Sequence, residues 1–192
     1  MARIEIKIPD WLDRVCSWPV IVYRKRKYGE PFRKIYLGED EWTILDPQDY
    51  YRYGNFKWCV NGNGTNLYAV RHVKIGPKKT KIVSLHREII NAPAGLFVDH
   101  KNCDSLDNTR SNLRLATRSQ NQCNKGKTRS NTSSRFIGVS FNKHRKKWLA
   151  YIGYEGKKIW LKAFDNEIDA AKEYDAAAQK YHGEFARLNF SE

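Results

Sequence analysis

Val98-Asp-His100, then Asn112-Leu-Arg-Leu-Ala-Thr117 and Ser119-Gln-Asn121, decide how the middle of this chain folds. Leu96-Phe-Val98 is a short apolar strand that follows the turn Pro93-Ala-Gly95 and ends at Asp99-His100. A polar loop rich in Asp and Asn fills 101–111. Asn112–Ala116 then alternates, which predicts a second strand with Leu113 and Leu115 toward the core. Thr117-Arg-Ser-Gln120 has the pattern of a capping box, a Thr N-cap with Gln three residues on. A helix therefore starts at Arg118 and points Asn121, in its second turn, back at the strand pair. The expected unit is strand–loop–strand–helix. A metal needs hard oxygen ligands, an attacking water needs a base, and the base needs a fixed orientation. About two dozen residues here supply all three.

The runs His86-Arg87, Val98-Asp-His100, Leu106-Asp-Asn108, Ser111-Asn-Leu-Arg114 and Ser119-Gln-Asn121 resemble the HNH endonucleases of phage and homing type. The resemblance spans roughly Ile44 to Lys125 and implies a ββα-metal (His-Me finger) fold. By that resemblance His100 is the general base, suited by an ordinary pKa near ~6.5 to work at neutral pH. Asp99 and Asn121 are ligands of one divalent metal. Their oxygens are hard donors, which favours Mg²⁺ or Mn²⁺. Such an ion stabilises the leaving oxygen and the charge on phosphorus. Asn112 holds the loop and orients the base. Asn121 stands where the family name has its final His, a variant familiar in phage relatives. Arg110, Arg114 and Arg118 are candidate phosphate contacts, although solvated faces look the same in sequence. His86 reads either as packing or as a phosphate contact, and His72 and His182 as structural or surface residues.

The chain has 192 residues, 35 Lys+Arg against 21 Asp+Glu, and a formal charge of +14. With 41% hydrophobic and 13% aromatic residues it can bury cores, and its pI near 9.7 asks for a polyanion partner. The uncharged stretches around Cys16–Tyr23 and Ile89–Val98 fall far short of the ~18–20 residues a spanning helix needs, and no signal-peptide core opens the sequence. Double-stranded DNA, not a membrane, is the expected partner. No obligate protein partner is evident, and a monomer or weak dimer in the cytoplasm or at the nucleoid is expected. Cys16, Cys59, Cys103 and Cys123 include no CxxC pair, which gives a treble-clef or ribbon zinc site little support and predicts reduced thiols. Cys103 and Cys123 flank the site and could approach each other.

Charge is unevenly spread. Residues 1–69 carry a net of +2, residues 70–130 of +9, residues 131–162 of +7 and residues 163–192 of −4. Lys125-Gly-Lys-Thr-Arg-Ser-Asn-Thr-Ser-Ser134 has no apolar side chain and reads as a flexible basic linker. In the N-terminal part, Ile4–Ile8 and Trp18–Tyr23 read as strands. The run Arg24-Lys-Arg-Lys27 that follows is either a solvated strand end or a phosphate contact. Asn61-Gly-Asn-Gly64 signals a hairpin between Phe56–Val60 and Leu67–Val70. Lys81–Leu85 is a third strand leading to a short helix at His86–Ile90. Together these form a small antiparallel sheet on which the site is mounted.

Beyond the linker, Ile137–Asn142, Trp148–Ile152 and Ile159–Lys162 alternate as three short strands, with turns at Asn142–Lys147 and Tyr154–Lys157. Asn166–His182 is a helix whose Ala170, Ala171, Tyr174, Ala177 and Ala178 form a small-residue stripe that lies close on a sheet. Parity puts Val139, Phe141, Ala150, Ile152, Ile159 and Leu161 inward, and Ser140, Asn142, Tyr151, Trp160 and Lys162 outward. An exposed Trp on a basic face needs a partner, while the helix behind is acidic. Phe136-Ile-Gly-Val139, Trp160-Leu-Lys-Ala-Phe-Asp165, Ala170-Ala-Lys-Glu-Tyr-Asp175 and the ending Gly183-Glu-Phe-Ala-Arg-Leu-Asn-Phe190 resemble the AP2/ERF DNA-binding domain. The resemblance implies major-groove binding through the sheet, with Ser140, Asn142, Lys143, Arg145, Lys147, Tyr151, Lys158, Trp160 and Lys162 facing DNA. Plant members carry arginines where this chain has Ile137, Ser140 and Asn142, so the fold transfers and the target does not.

The expected protein is α+β, a small antiparallel sheet bearing the ββα-metal unit plus a three-stranded sheet with one packed helix. The expected domains are a nuclease at 1–124, a linker at 125–134 and a DNA reader at 135–192. The expected function is a metal-dependent DNA endonuclease of homing or mobile-element type. The alternative is a non-catalytic DNA-binding regulator with a relic nuclease unit.

Overall fold

The computed structural model describes residues 9–64, 66–126 and 133–190, a mixed α+β fold of small antiparallel sheets and a few helices. The strand expected at Ile4–Ile8, and most of the expected linker, lie outside the described residues. Two compact units share the chain discontinuously: Met1–Ala92 with Asp104–Arg114, and Pro93–Cys103 with Leu115–Glu192. No described helix is long and apolar enough to cross a membrane.

The first unit opens with helix α1 (Asp10–Tyr28), which corrects the strand expected at Trp18–Tyr23. The β-branched run there is misleading because the face that α1 covers mixes polar with apolar residues. Asp13, Ser17, Ile21 and Arg24 are sheltered at helical spacing, while Val15, Trp18, Val20 and Tyr23 stay exposed. Polar bonds hold that face: Arg33 meets Asp13 at 3.0 Å, and Arg24 Nη1 donates to the Phe32 carbonyl at 2.7 Å. Gly29 closes the helix at φ +81 by donating to the Lys25 carbonyl. Lys25, Arg26 and Lys27 fill the last turn, where cations meet the carbonyl end of a helix. The basic run is therefore a helix terminus.

Strands β1 (Arg33–Gly38) and β2 (Glu41–Leu45) form a hairpin whose two turn residues, Glu39 and Asp40, both have positive φ. That geometry matches the right-handed strand twist but is normally signalled by Asn-Gly, so the sequence gives little warning of it. Helix α2 (Pro47–Tyr53) follows, with proline at its first turn. Strands β3 (Cys59–Asn63), β4 (Asn66–Gly76) and β5 (Lys79–Ser84) make the expected three-stranded antiparallel sheet. Asn61-Gly-Asn63 belongs to β3 itself, because the register carries pairing on to Asn63 opposite Asn66. Helix α3 (Leu85–Ile89) comes next, and Leu45, Leu85 and Ile89 are fully buried.

The second unit holds β6 (Phe97–His100), the end of β7 (Leu113–Ala116) from Leu115 on, and helix α4 (Arg118–Cys123). Leu113 is buried as expected, but Leu115 is 41% exposed and Ala116 takes the inner place. The alternation breaks there because the chain is already turning into the cap of α4. Cys103 and Cys123 form no disulfide, and each donates to a different backbone carbonyl, those of Asn124 and Ser119.

Strands β8 (Val139–Asn142), β9 (Lys147–Tyr154) and β10 (Lys157–Phe164) form an antiparallel sheet in the order β10-β9-β8. Helix α5 (Glu167–His182), capped by the Asn166 side chain, covers one face with the predicted Ala170, Ala171, Tyr174, Ala177 and Ala178. Val139, Ala150, Ile152, Ile159 and Leu161 meet it from the sheet. A register shift between Trp160 and Ala163 turns Phe164 inward as well.

Gly138, at φ +68, sits where an added Cβ would come within 2.0 Å of the Tyr174 ring. Burial in this packing pushes the Tyr174 phenol up to about 12. Gly138→Ala is thus expected to cost about 3 kcal/mol or more, combining overpacking with left-handed strain. Urea denaturation followed by Trp fluorescence checks this, and a change under 1 kcal/mol would contradict it.

Candidate active site

The capping box at the start of α4 forms as the sequence predicts. Thr117 Oγ1 accepts from the Gln120 amide at 3.2 Å, and Gln120 Oε1 accepts from the Thr117 amide at 2.8 Å. The reciprocal bonds satisfy two amides that a helix start leaves open, which is how so short a helix holds its position. It packs against β6, where Asp99 and His100 end the strand at 4% and 7% exposure.

The residue that joins the two elements is Asn124, at the C-terminal end of α4. Its Nδ2 lies 3.0 and 3.2 Å from the two carboxylate oxygens of Asp99 and 2.8 Å from the His100 carbonyl. One buried amide thereby sets both the plane of the carboxylate and the backbone of the histidine. The Cys103 amide donates to the same His100 carbonyl at 2.9 Å, closing the turn after β6. Arg187 Nη1 donates to Cys103 Sγ at 3.1 Å. Sequence reasoning gave Asn124 no role. The available signal is its spacing, three residues after Asn121 on a capped helix, which puts both on one face. Asn121 is half-buried, and its backbone amide donates to the Thr117 carbonyl.

Asn112 belongs to the first unit. It is buried, and its Nδ2 donates to the Asp107 carbonyl at 2.8 Å, bracing its own loop. Asn108, quoted in the motif without a role, fastens that loop to β2. Its amide donates to the Ile44 carbonyl at 2.8 Å and its fully buried side chain donates to Thr43 Oγ1 at 2.7 Å. Arg110 is also committed internally: Nε and Nη2 reach the two oxygens of buried Asp49, each at 2.7 Å. That hydrogen-bonded pairing raises its pKa further. Arg118 is exposed at the start of α4, Arg114 is half-buried in β7, and the His86 ring lies 5.4 Å from Tyr68.

On the three-stranded sheet, Tyr151 and Trp160 face each other with ring centroids 5.6 Å apart, and Lys158 Nζ lies over both. Asn142 Oδ1 accepts from the Arg145 amide in the β8–β9 turn, where Lys143 and Arg145 are exposed. Ser140 is half-buried on β8. Lys147 pairs with Asp165, and Lys162, at the register shift, reaches Glu173 on α5 at 3.7 Å. Lys162 therefore leans toward the helix, away from where parity put it.

The HNH endonuclease family model matches residues 91–123, the segment that contains β6, β7 and α4. An uncharacterized HNH endonuclease of Acanthamoeba polyphaga mimivirus is 31% identical over 163 residues, covering 80% of this chain and 73% of that protein. The chain belongs to the HNH endonucleases. Protein 3.8 of Escherichia phage T7 is 34% identical over 96 residues, 50% of this chain and 78% of its own length. The AP2 domain model matches residues 134–184, so this HNH endonuclease also carries an AP2 domain. APETALA2-like protein 2 of Oryza sativa subsp. indica is 39% identical over 59 residues, 31% of this chain but 14% of that protein. No solved structure matches.

Asn124→Ala removes the amide from a buried carboxylate and is expected to cost about 2 kcal/mol, against about 1 kcal/mol for the cap loss in Thr117→Ala. Paired urea titrations of the two variants check the order. An Asn124→Ala protein as stable as wild type would show that the clasp is not holding β6.

Proposed function

We propose that this HNH endonuclease hydrolyses DNA phosphodiesters with a divalent metal, and that its AP2 domain tethers the cut to a target. The observation that carries the reading is the buried Asp99-His100 pair, its carboxylate and backbone set by Asn124. A homing or mobile-element type is part of the same proposal. The proposed modules are 1–124 for cutting and 135–192 for reading, with 125–134 between them.

The donor set suits the proposed ion. Asp99 offers a carboxylate and Asn121 an amide oxygen, both hard, with no thiol assigned to the site, so Mg²⁺ or Mn²⁺ fits. Bound there, the ion would stabilise charge on the leaving oxygen and the phosphorus centre. His100 takes the proton from the attacking water. Asn124 keeps Asp99 from rotating, and Asn112 braces its own loop. One such site acts on one strand, so the monomer nicks.

Supercoiled plasmid incubated with Mg²⁺ or a chelator, beside His100→Ala, tests this. Nicking is expected only with metal, and loss of the base is expected to cost about 10²–10⁴-fold in rate. Equal DNA binding with no cleavage by either protein would overturn the nuclease reading and favour the regulator.

Binding is also expected to be strongly salt-dependent, because residues 70–162 hold most of the positive charge. With about 8 phosphate contacts, log K falls against log salt with a slope near −7. A slope under half that value, measured by fluorescence anisotropy in chelator, would mean most of this charge lies away from DNA.

A further inference from the structure

The outward face of the three-stranded sheet is short of the groups that read guanine. No arginine occurs on β8, β9 or β10. Arginine or lysine in two-point contact with guanine is the commonest specific base contact in the major groove. The lysines of this face are engaged: Lys158 Nζ lies 3.5 Å from the Tyr151 centroid and 4.2 Å from that of Trp160, and Lys147 is paired with Asp165. Lys162 turns aside to Glu173.

What the face does present is apolar. The register sets Leu149 between Ser140 and Ala163, and Tyr151 opposite Trp160. Neighbours of opposite parity, Trp148, Ala150, Ile152, Ile159 and Leu161, pack against the helix side, which leaves Leu149, Trp160 and Ala163 facing out. Trp160 is 58% exposed. Ordinary solubility does not ask for Leu, Trp and Ala in one outward patch, and residues 131–162 around it carry +7, a charge that matches a duplex. In the major groove, the one apolar group on a base edge is the thymine C5-methyl.

We infer that this face reads thymine methyl groups in the major groove, so that the chain prefers A·T-rich, thymine-bearing duplex targets. Leu149, Trp160 and Ala163 bury the methyls, while Lys158 holds the Trp160 and Tyr151 rings in place and adds attraction to phosphate. This rests on the reading of the AP2 domain as a DNA tether and adds the class of sequence it selects.

The test measures anisotropy of the full chain, in chelator, with an A·T duplex, the same duplex with uracil for every thymine, and a G·C duplex. Uracil differs from thymine by that methyl alone. Each methyl buried is worth about four-fold in affinity, so the thymine duplex is expected to bind at least four-fold tighter than the uracil duplex. It is also expected to bind tighter than the G·C duplex. Trp160→Ala, at an exposed position that leaves the fold intact, is expected to bring the thymine-to-uracil ratio close to one while salt-sensitive binding persists. Equal affinity for thymine and uracil duplexes, or tighter binding of G·C, would overturn the methyl reading and leave the tether standing. No salt-sensitive binding to any of the three would overturn the tether as well.

Discussion

A single buried amide, Asn124 Nδ2, sets the geometry on which the candidate active site depends. It bonds the Asp99 carboxylate and the His100 carbonyl together. A carboxylate buried to 4% exposure is costly unless hydrogen-bonded, so the bond both offsets that cost and selects one orientation. Asn124 is placed by α4, and α4 is placed by the Thr117–Gln120 capping box. The chain of cause therefore runs from two residues of local sequence, through a six-residue helix, to the direction of a buried carboxylate.

The same device recurs in the first unit, where polar bonds to buried side chains hold the loop 104–110. Asn108 on Thr43 and Arg110 on Asp49 tie it to β2 and α2. Such bonds are directional, so they specify one loop conformation where a hydrophobic contact would tolerate several. Helix α1 follows the same logic, with Asp13 and Arg24 on its sheltered side.

This explains what the sequence revealed and what it hid. Elements held by apolar periodicity or by a local cap were legible: the Ala170–Ala178 stripe of α5, the alternation of β9, the box that starts α4. Elements held by long-range polar pairs were not. Trp18–Tyr23 looks like a strand because its apolar residues run together, and Trp18, Val20 and Tyr23 among them face out. The β1–β2 hairpin turns on Glu39-Asp40, residues that rarely signal such a turn. At the site, Asp99, His100 and Asn121 were marked by spacing, whereas Asn124 acts through a partner 25 residues away, a pairing no local pattern encodes. Arg110 could not be told from a phosphate contact, because its partner Asp49 lies 61 residues earlier.

Asp99, aimed by Asn124, and Asn121 are proposed to form a hard-oxygen cation site. Electron paramagnetic resonance of Mn²⁺ titrated into the full chain tests it most directly, since free and bound ion give separable signals. One saturable site per chain is expected, lost in Asp99→Ala and weakened at least ten-fold in Asn121→Ala and in Asn124→Ala. Undiminished binding by Asp99→Ala would contradict it.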